Sequence, residues 1–361
     1  MKPLIYLDSA ATTKPDQAAL EKTTKLICEH FDNPSSTHSG GEAARTLLEQ
    51  ARKSISNSLG CTPKEVCFTS GGTEANAIAL NGPAELGEFV LSTIAEHPSV
   101  ADHSVDKVGI NKDGSYDLNR FEEQMKRMQR WKARKTLAVS LVNTETGRIC
   151  ITDNSLWDLC QKYQVGLHID ASAAYLKVPF ELKCDTMTVS AHKVHGLKGT
   201  GVLYVREGCE RYRMFAGGSQ ENGLRPGTEN ILGAVHFGMV VGNGEPHLDQ
   251  GLQKKFEDLL ADTSTVNGGE SRVWSVSNLF FPKVKDVDLF LHLLDEAGVL
   301  ASGKSACKSG MPEPSKVLEA MYGVGAAETK GSARFSFSKL TTMDEVEQAA
   351  SIVRKVVQEL E

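Results

Sequence analysis

The first two-thirds of the chain alternate short apolar runs with segments whose apolar residues recur at helical spacing. Residues 42–59, EAARTLLEQARKSISNSL, put Leu47, Leu48, Ala51, Ile55 and Leu59 on one face. A period near 3.6 predicts an amphipathic helix, and Gly60 supplies its stop because glycine accepts the left-handed backbone that ends a helix. The apolar runs that follow are EVCFTS, GEFVLST, TLAVSLV, VGLHID, TMTVS and GVLYVR, each bounded by polar or helical sequence. Such alternation predicts an α/β fold with a largely parallel sheet, whose ligands sit at the carboxyl ends of the strands.

After about residue 245 the pattern changes. A helix-like run, HLDQGLQKKFEDLLADT, leads into RVWSVSNLFF, then the helical VDLFLHLLDEAG, then VLASGKSAC, a helix near 315–322, the strand GSARFSFS and a final helix from 342. This order predicts a smaller α+β unit. The expected organisation is a large α/β domain over 13–245, with a small α+β domain made by 1–12 and 246–361. No low-complexity linker and no internal repeat separates them, so the two units are expected to pack rigidly.

Composition narrows the function classes. A chain of 361 residues is long enough for two cores, and 40% apolar with 24% charged residues is ordinary for a globular protein. The formal net charge of -6 argues against nucleic acid as the main partner. Eight cysteines without a CxxC pair fit reduced thiols rather than a disulfide framework or a zinc site. The start, MKPLIYLDSAATT, has too short an apolar run for a signal peptide, and no later segment is long enough to span a bilayer. A cytoplasmic protein with no membrane partner is the expectation.

Four features carry chemistry. In CFTSGGTEAN, Cys67 to Asn76, a strand gives way to two glycines and then to a helix opening at Thr73. That is either a phosphate cradle made of helix-start N–H groups or a plain strand-to-helix turn. In VGLHIDASAAY an apolar strand ends at Asp170. This carboxylate either holds a protonated ring nitrogen or caps the next element. In SAHKVHGLKGTG, Lys193 follows the strand TMTVS one crossover later, flanked by Ser190 and His192. A lysine there is either solvated or, with its amine held neutral, able to form a Schiff base. Together, a phosphate cradle, an acid for a pyridinium nitrogen and a Schiff-base lysine are the groups pyridoxal 5'-phosphate requires. The fourth feature is ASGKSACKSGMPEPS, where Cys307 lies between Lys304 and Lys308 in a stretch with no helix or strand pattern. Nearby cations favour the thiolate, and an exposed loop lets it travel. The other seven cysteines read as small buried hydrophobes.

In order along the chain, YLDSAATT, NPSSTH, FTSGGTEAN, HIDA, SAHKVHGLKGTGVLYVR, GGSQENGLRPGTEN, SGKSAC and ARFSFS resemble the motifs of the cysteine desulfurases, class V aminotransferases within the fold type I pyridoxal-phosphate enzymes. The resemblance implies that Lys193 carries the cofactor, that Asp170 pairs with its ring nitrogen and that His97, in AEHPSV, stacks on the ring. It implies that Gly72, Thr73, Ser190 and His192 hold the phosphate, joined by Thr228 from the neighbouring subunit of a homodimer. Asn143, or Thr144 beside it, touches the cofactor, and Arg334 binds the carboxylate of L-cysteine. The same resemblance implies that Cys307 takes up the substrate sulfur as a persulfide and passes it to an acceptor protein, in an iron–sulfur or nucleic-acid thiolation pathway. A selenocysteine lyase, an aminotransferase or a scaffold with a degenerate site are the competing readings. The sequence departs from the family at Ala173, where a glutamine usually bonds the cofactor's phenolic oxygen, and at Lys304, an extra residue in SGKSAC. It also ends directly after the last amphipathic helix, without the extended tail of the family's housekeeping members, which keeps a specialised sulfur pathway such as tRNA or DNA thiolation open beside the iron–sulfur one.

Overall fold

A computed structural model of the chain describes residues 4–82, 87–179, 181, 183–242, 249–303 and 314–360. The runs with continuous apolar character form the middle of a seven-stranded sheet, in the order Val66–Thr69, Gly201–Val205, Thr186–Ser190, Gly166–Asp170, Arg134–Ser140, Glu88–Thr93 and Asp106–Val108. Each pairing is parallel except the two made by Gly201–Val205. Leu137, Ala138, Val139, Leu167 and Ile169 are buried, as expected of parallel strands covered on both faces.

The predicted helix at 42–59 spans Ser39–Leu59. His38 caps its start by accepting from the Gly41 N–H, and Gly60 ends it with φ of 67°. Leu48, Ala51 and Ile55 are buried on the anticipated face. Gly201 has a packing reason: a Cβ there would lie 2.7 Å from the Gly71 backbone, so this strand is pressed against the turn that opens helix Gly72–Ala79.

The later part of the chain forms a three-stranded antiparallel sheet, ordered Ser332–Ser336, Val276–Phe280, Thr265–Val266. Helices Leu252–Leu260, Val287–Ala297 and Met343–Glu359 accompany it. Val299–Leu300 pairs in parallel with Ile5–Tyr6, which ties the amino terminus to this unit. One apolar cluster runs without a break from Leu7, Leu137 and Ile169 to Phe256, Phe335 and Phe337. Among the described residues no helix is long and apolar enough to cross a membrane.

Two strands carry no readable pattern. Asp106–Val108 has one buried residue in three, and both residues of Thr265–Val266 are exposed, too little for an alternation to register. The reading of the cysteines also needs correction. Cys67, Cys160 and Cys184 are buried, but Cys28 is exposed, on a helix, Gln17–Glu29, whose buried face is reduced to Thr23.

The segment 217–230 is held down by a buried ion pair. Arg52 donates from Nη1 and Nη2 to Glu221 Oε2 and Oε1 at 2.7 and 2.8 Å, and Oε2 also accepts from the Phe68 N–H at 2.7 Å. Glu221 takes a left-handed backbone, φ 49°, to make this contact. Removing one member of a buried pair leaves the other charge uncompensated. Glu221→Ala should therefore destabilise the fold by about 3 kcal/mol, read as a lower midpoint in denaturant melts; a loss under about 1 kcal/mol, the scale of an exposed pair, would contradict it.

Candidate active site

Two neighbouring parallel strands end side by side, at Asp170 and at Ser190. Beyond their ends lies a cavity of about 260 Å³, and Gly72, Thr73, His97, Asn143, Asp170, Ser190, His192, Lys193 and Arg334 all line it. Residues from six separate motifs thus meet at the carboxyl edge of the sheet, where an open α/β sheet presents its ligand site.

Asp170 both caps and points. Its Oδ1 accepts from the Ser172 N–H at 2.9 Å, and its Oδ2 accepts from Asn76 Nδ2 at 2.8 Å. Lys193 ends a single 3-10 turn, Ala191–Lys193, and donates from Nζ to the carbonyl of Ala10 at 2.5 Å. Gly72 opens helix Gly72–Ala79 with Thr73 next to it. A Cβ at Gly72 would lie 3.1 Å from Ser172 Oγ and 3.6 Å from Ser190 Cβ, so the bare glycine leaves room for a ligand against the helix start.

Burial holds the imidazoles neutral. Desolvation pushes the pKa of His97 down, and desolvation followed by the charges of Lys193, Lys198 and Lys177 pushes His192 down to about 4. His97 caps the short helix Pro98–Ala101 and bonds Ser99 Oγ through Nδ1 at 2.7 Å.

Arg334, on strand Ser332–Ser336, is 2% exposed. Nη2 donates to Asp8 Oδ1 at 3.0 Å and Nη1 to the Thr144 carbonyl at 3.1 Å, while Nε is buried with no hydrogen-bond partner among the described residues. Asn143 spends its amide locally: Oδ1 accepts from the N–H groups of Glu145 and Thr146 at 3.0 Å each, and Nδ2 donates to the Ala95 carbonyl at 3.3 Å. Thr144 shares the cavity wall with it. Thr228 is exposed and stands outside the cavity wall of its own chain. Cys307 and Lys304 lie outside the described residues.

Sequence reasoning missed Asn76 and Ser99, which line the same cavity, and the layer behind it. There His168, Glu96 and Asp8 bond the wall residues Asn76, Ser140 and Arg334. His168 was in principle visible, since it precedes Asp170 by two positions and so faces the same side of its strand.

The profile of the aminotransferase class-V family matches residues 5–349. The cysteine desulfurase IscS of Dictyoglomus turgidum is 30% identical over all of this chain and 96% of its own length. The chain belongs to the cysteine desulfurase family. Its fold matches a NifS-like protein from Rickettsia africae with a TM-score of 0.85 at 26% identity, covering 98% of this chain and 99% of that one. It also matches SspA, solved in complex with cysteine, with a TM-score of 0.80 at 26% identity, covering 93% and 99%.

The family's cofactor is pyridoxal 5'-phosphate. The cavity fits it: an amine, a carboxylate and a helix start opened by a glycine face one space. Ala173 is part of the wall and brings no polar side-chain atom to it.

Glu96, beside His97, is buried among three hydroxyls. Oε1 accepts from Thr93 at 2.6 Å and from Tyr116 at 3.1 Å, and Oε2 accepts from Ser140 at 2.5 Å. Desolvation outweighs these bonds and raises its pKa to about 7. A raised carboxyl pKa means that the folded state binds the proton more tightly. That stabilisation is complete below about pH 4.5 and is lost as the pH rises to about 7. Glu96→Gln stays neutral, so its stability relative to the parent should improve between about pH 5 and about pH 8. Denaturant melts at both pH values check this; an unchanged difference would show that Glu96 does not titrate in that window.

Proposed function

We propose that the protein is a cysteine desulfurase that takes L-cysteine, releases L-alanine and leaves the sulfur as a persulfide on Cys307, for delivery to an acceptor protein. One observation carries the reading: Lys193, Asp170 and the incompletely bonded guanidinium of Arg334 line one cavity. The match to SspA, solved with cysteine, supports L-cysteine as the ligand.

Each residue has a task in this reading. Lys193 Nζ holds the cofactor in the resting enzyme and, once freed, takes the substrate's α-proton. Asp170 keeps a proton on the cofactor's ring nitrogen, and His97 packs against the ring. Gly72, Thr73, Ser190 and His192 surround the phosphate, with Thr228 of a second copy completing it in a homodimer. Pyridoxal 5'-phosphate, when bound, supplies an electron sink for bond-breaking at the substrate's α and β carbons. Arg334 takes the α-carboxylate as a charge-assisted pair, which fixes where the β-carbon and sulfur lie. The Cys307 thiolate bonds to the substrate sulfur as the Cβ–S bond breaks. The electron pair stays with Cβ, which takes up a proton, so alanine leaves and no outside oxidant is needed. Asn143 and Thr144 shape the wall beside this carboxylate.

Incubation of the reduced holoenzyme with L-cysteine should add one sulfur to the peptide containing Cys307, read by mass spectrometry. Lys193→Ala should abolish the gain, and Cys307→Ala should abolish alanine release. A cofactor-loaded enzyme that releases alanine equally well as Cys307→Ala would instead be running other pyridoxal chemistry. Arg334→Lys should raise KM for L-cysteine about ten- to a hundredfold, the equivalent of losing about 1.5–3 kcal/mol of bonding to a charged group. An unmoved KM would remove Arg334 from the carboxylate site.

A further inference from the structure

Asn76 is 1% exposed, on the helix that opens at Gly72, and its amide joins two other segments, the strand Gly166–Asp170 and the helix Pro98–Ala101. Nδ2 donates to Asp170 Oδ2 and to Ser99 Oγ, both at 2.8 Å, and Oδ1 lies 2.9 Å from His168 Nε2. The carboxylate has no hydrogen to give, so the amide has one possible orientation. Oδ1 must then accept, which places the proton of His168 on Nε2. His168 Nδ1 in turn accepts from Thr186 Oγ1 at 2.9 Å, and that hydroxyl accepts from Arg211 Nη2 at 3.3 Å. Burial pushes the His168 pKa down to about 4, consistent with a neutral ring.

The other branch is equally directional. Ser99 Oγ accepts from Asn76, so its own hydrogen goes to His97 Nδ1 at 2.7 Å. The Ser99 N–H points at the same nitrogen, at 3.2 Å. His97 Nδ1 is thus an acceptor, and a neutral His97 carries its proton on Nε2. Every hydrogen in the chain runs one way, from Arg211 through Thr186, His168 and Asn76 to Asp170 and, by way of Ser99, to His97.

We infer that Asn76 is the positioning residue of the site, setting the Asp170 carboxylate and the His97 tautomer as one unit, with the His168 N–H bracing the amide oxygen of Asn76 from behind. The inference rests on the reading that Asp170 and His97 face the cofactor ring. A hydrogen-bonded carboxylate cannot swing away, and a partner left unpaired in a buried site bears the full desolvation cost.

The test uses holoenzyme loaded with pyridoxal 5'-phosphate labelled with nitrogen-15 in the ring, and reads the ring-nitrogen chemical shift and the cofactor dissociation constant. Asn76→Ala should move the resonance towards the deprotonated position and weaken cofactor binding about ten- to a hundredfold. His168→Leu should move the resonance the same way, and His168→Gln, which restores an N–H near Nε2, should bring it back. If Asn76→Ala does not fold, the His168 pair decides. An unmoved resonance in folded Asn76→Ala, or a His168→Gln that behaves as His168→Leu does, overturns the inference. Asp170→Asn separates the two levels: if it moves the resonance and the others do not, only the network is wrong. If it moves nothing, the reading of Asp170 and the inference fall together.

Discussion

The site depends on a short irregular stretch near the amino terminus that is hydrogen-bonded on both sides. On one side the Ser336 N–H donates to the Leu7 carbonyl at 2.7 Å, and the Ala10 N–H donates to Ser336 Oγ at 2.8 Å. On the other, the Thr13 N–H donates to the His192 carbonyl at 2.8 Å, and Thr13 Oγ1 accepts from the His195 N–H at 2.7 Å. The strand bearing Arg334 and the turn bearing Lys193 therefore share one strap. In the proposed reading the carboxylate and amine of one substrate, a fixed distance apart, engage these two side chains, so their spacing would need to be set by structure rather than by chance encounter.

Burial of the site's ionisable groups is the second organising fact. The same burial that lowers the pKa of His97 and His192 raises that of Glu96 and brings Lys177 down to about 7, the last with help from Lys193 and Arg334. Charge in this region is expensive, and the groups that keep it are those with partners. Opposite shifts in acids and bases around one cavity are the signature of a shared low-dielectric environment rather than of separate local contacts.

The parts of the site made by single segments were legible in the sequence. Gly72 and Thr73 follow a strand, Asp170 ends one, and Lys193 follows another, so period and punctuation place each at the sheet's edge. The supporting layer was not legible, because its meaning comes from convergence. Asn76 and His168 are 92 positions apart, and nothing in either segment specifies the other. The same holds for Arg52 and Glu221, 169 positions apart, which look on paper like two surface charges. Strand direction was equally hidden: Gly201–Val205 runs against both neighbours although its sequence resembles the parallel strands.

Arg334 shows how the folded state can carry a preference before any ligand arrives. Withdrawing a guanidinium from water costs several kcal/mol unless its hydrogens are answered. Asp8 and the Thr144 carbonyl answer two nitrogens, and Asp8 is itself held by Ser302 Oγ at 2.5 Å, so the fold tolerates the buried charge. Nε remains unanswered, which leaves the compensation incomplete. In the proposed reading a ligand carboxylate would finish it with two oxygens and a charge, whereas an amide or hydroxyl would supply an acceptor without the charge. Under the carboxylate role proposed for Arg334, selectivity for an α-carboxylate would follow from a residue that is stabilised enough to fold and not enough to be satisfied.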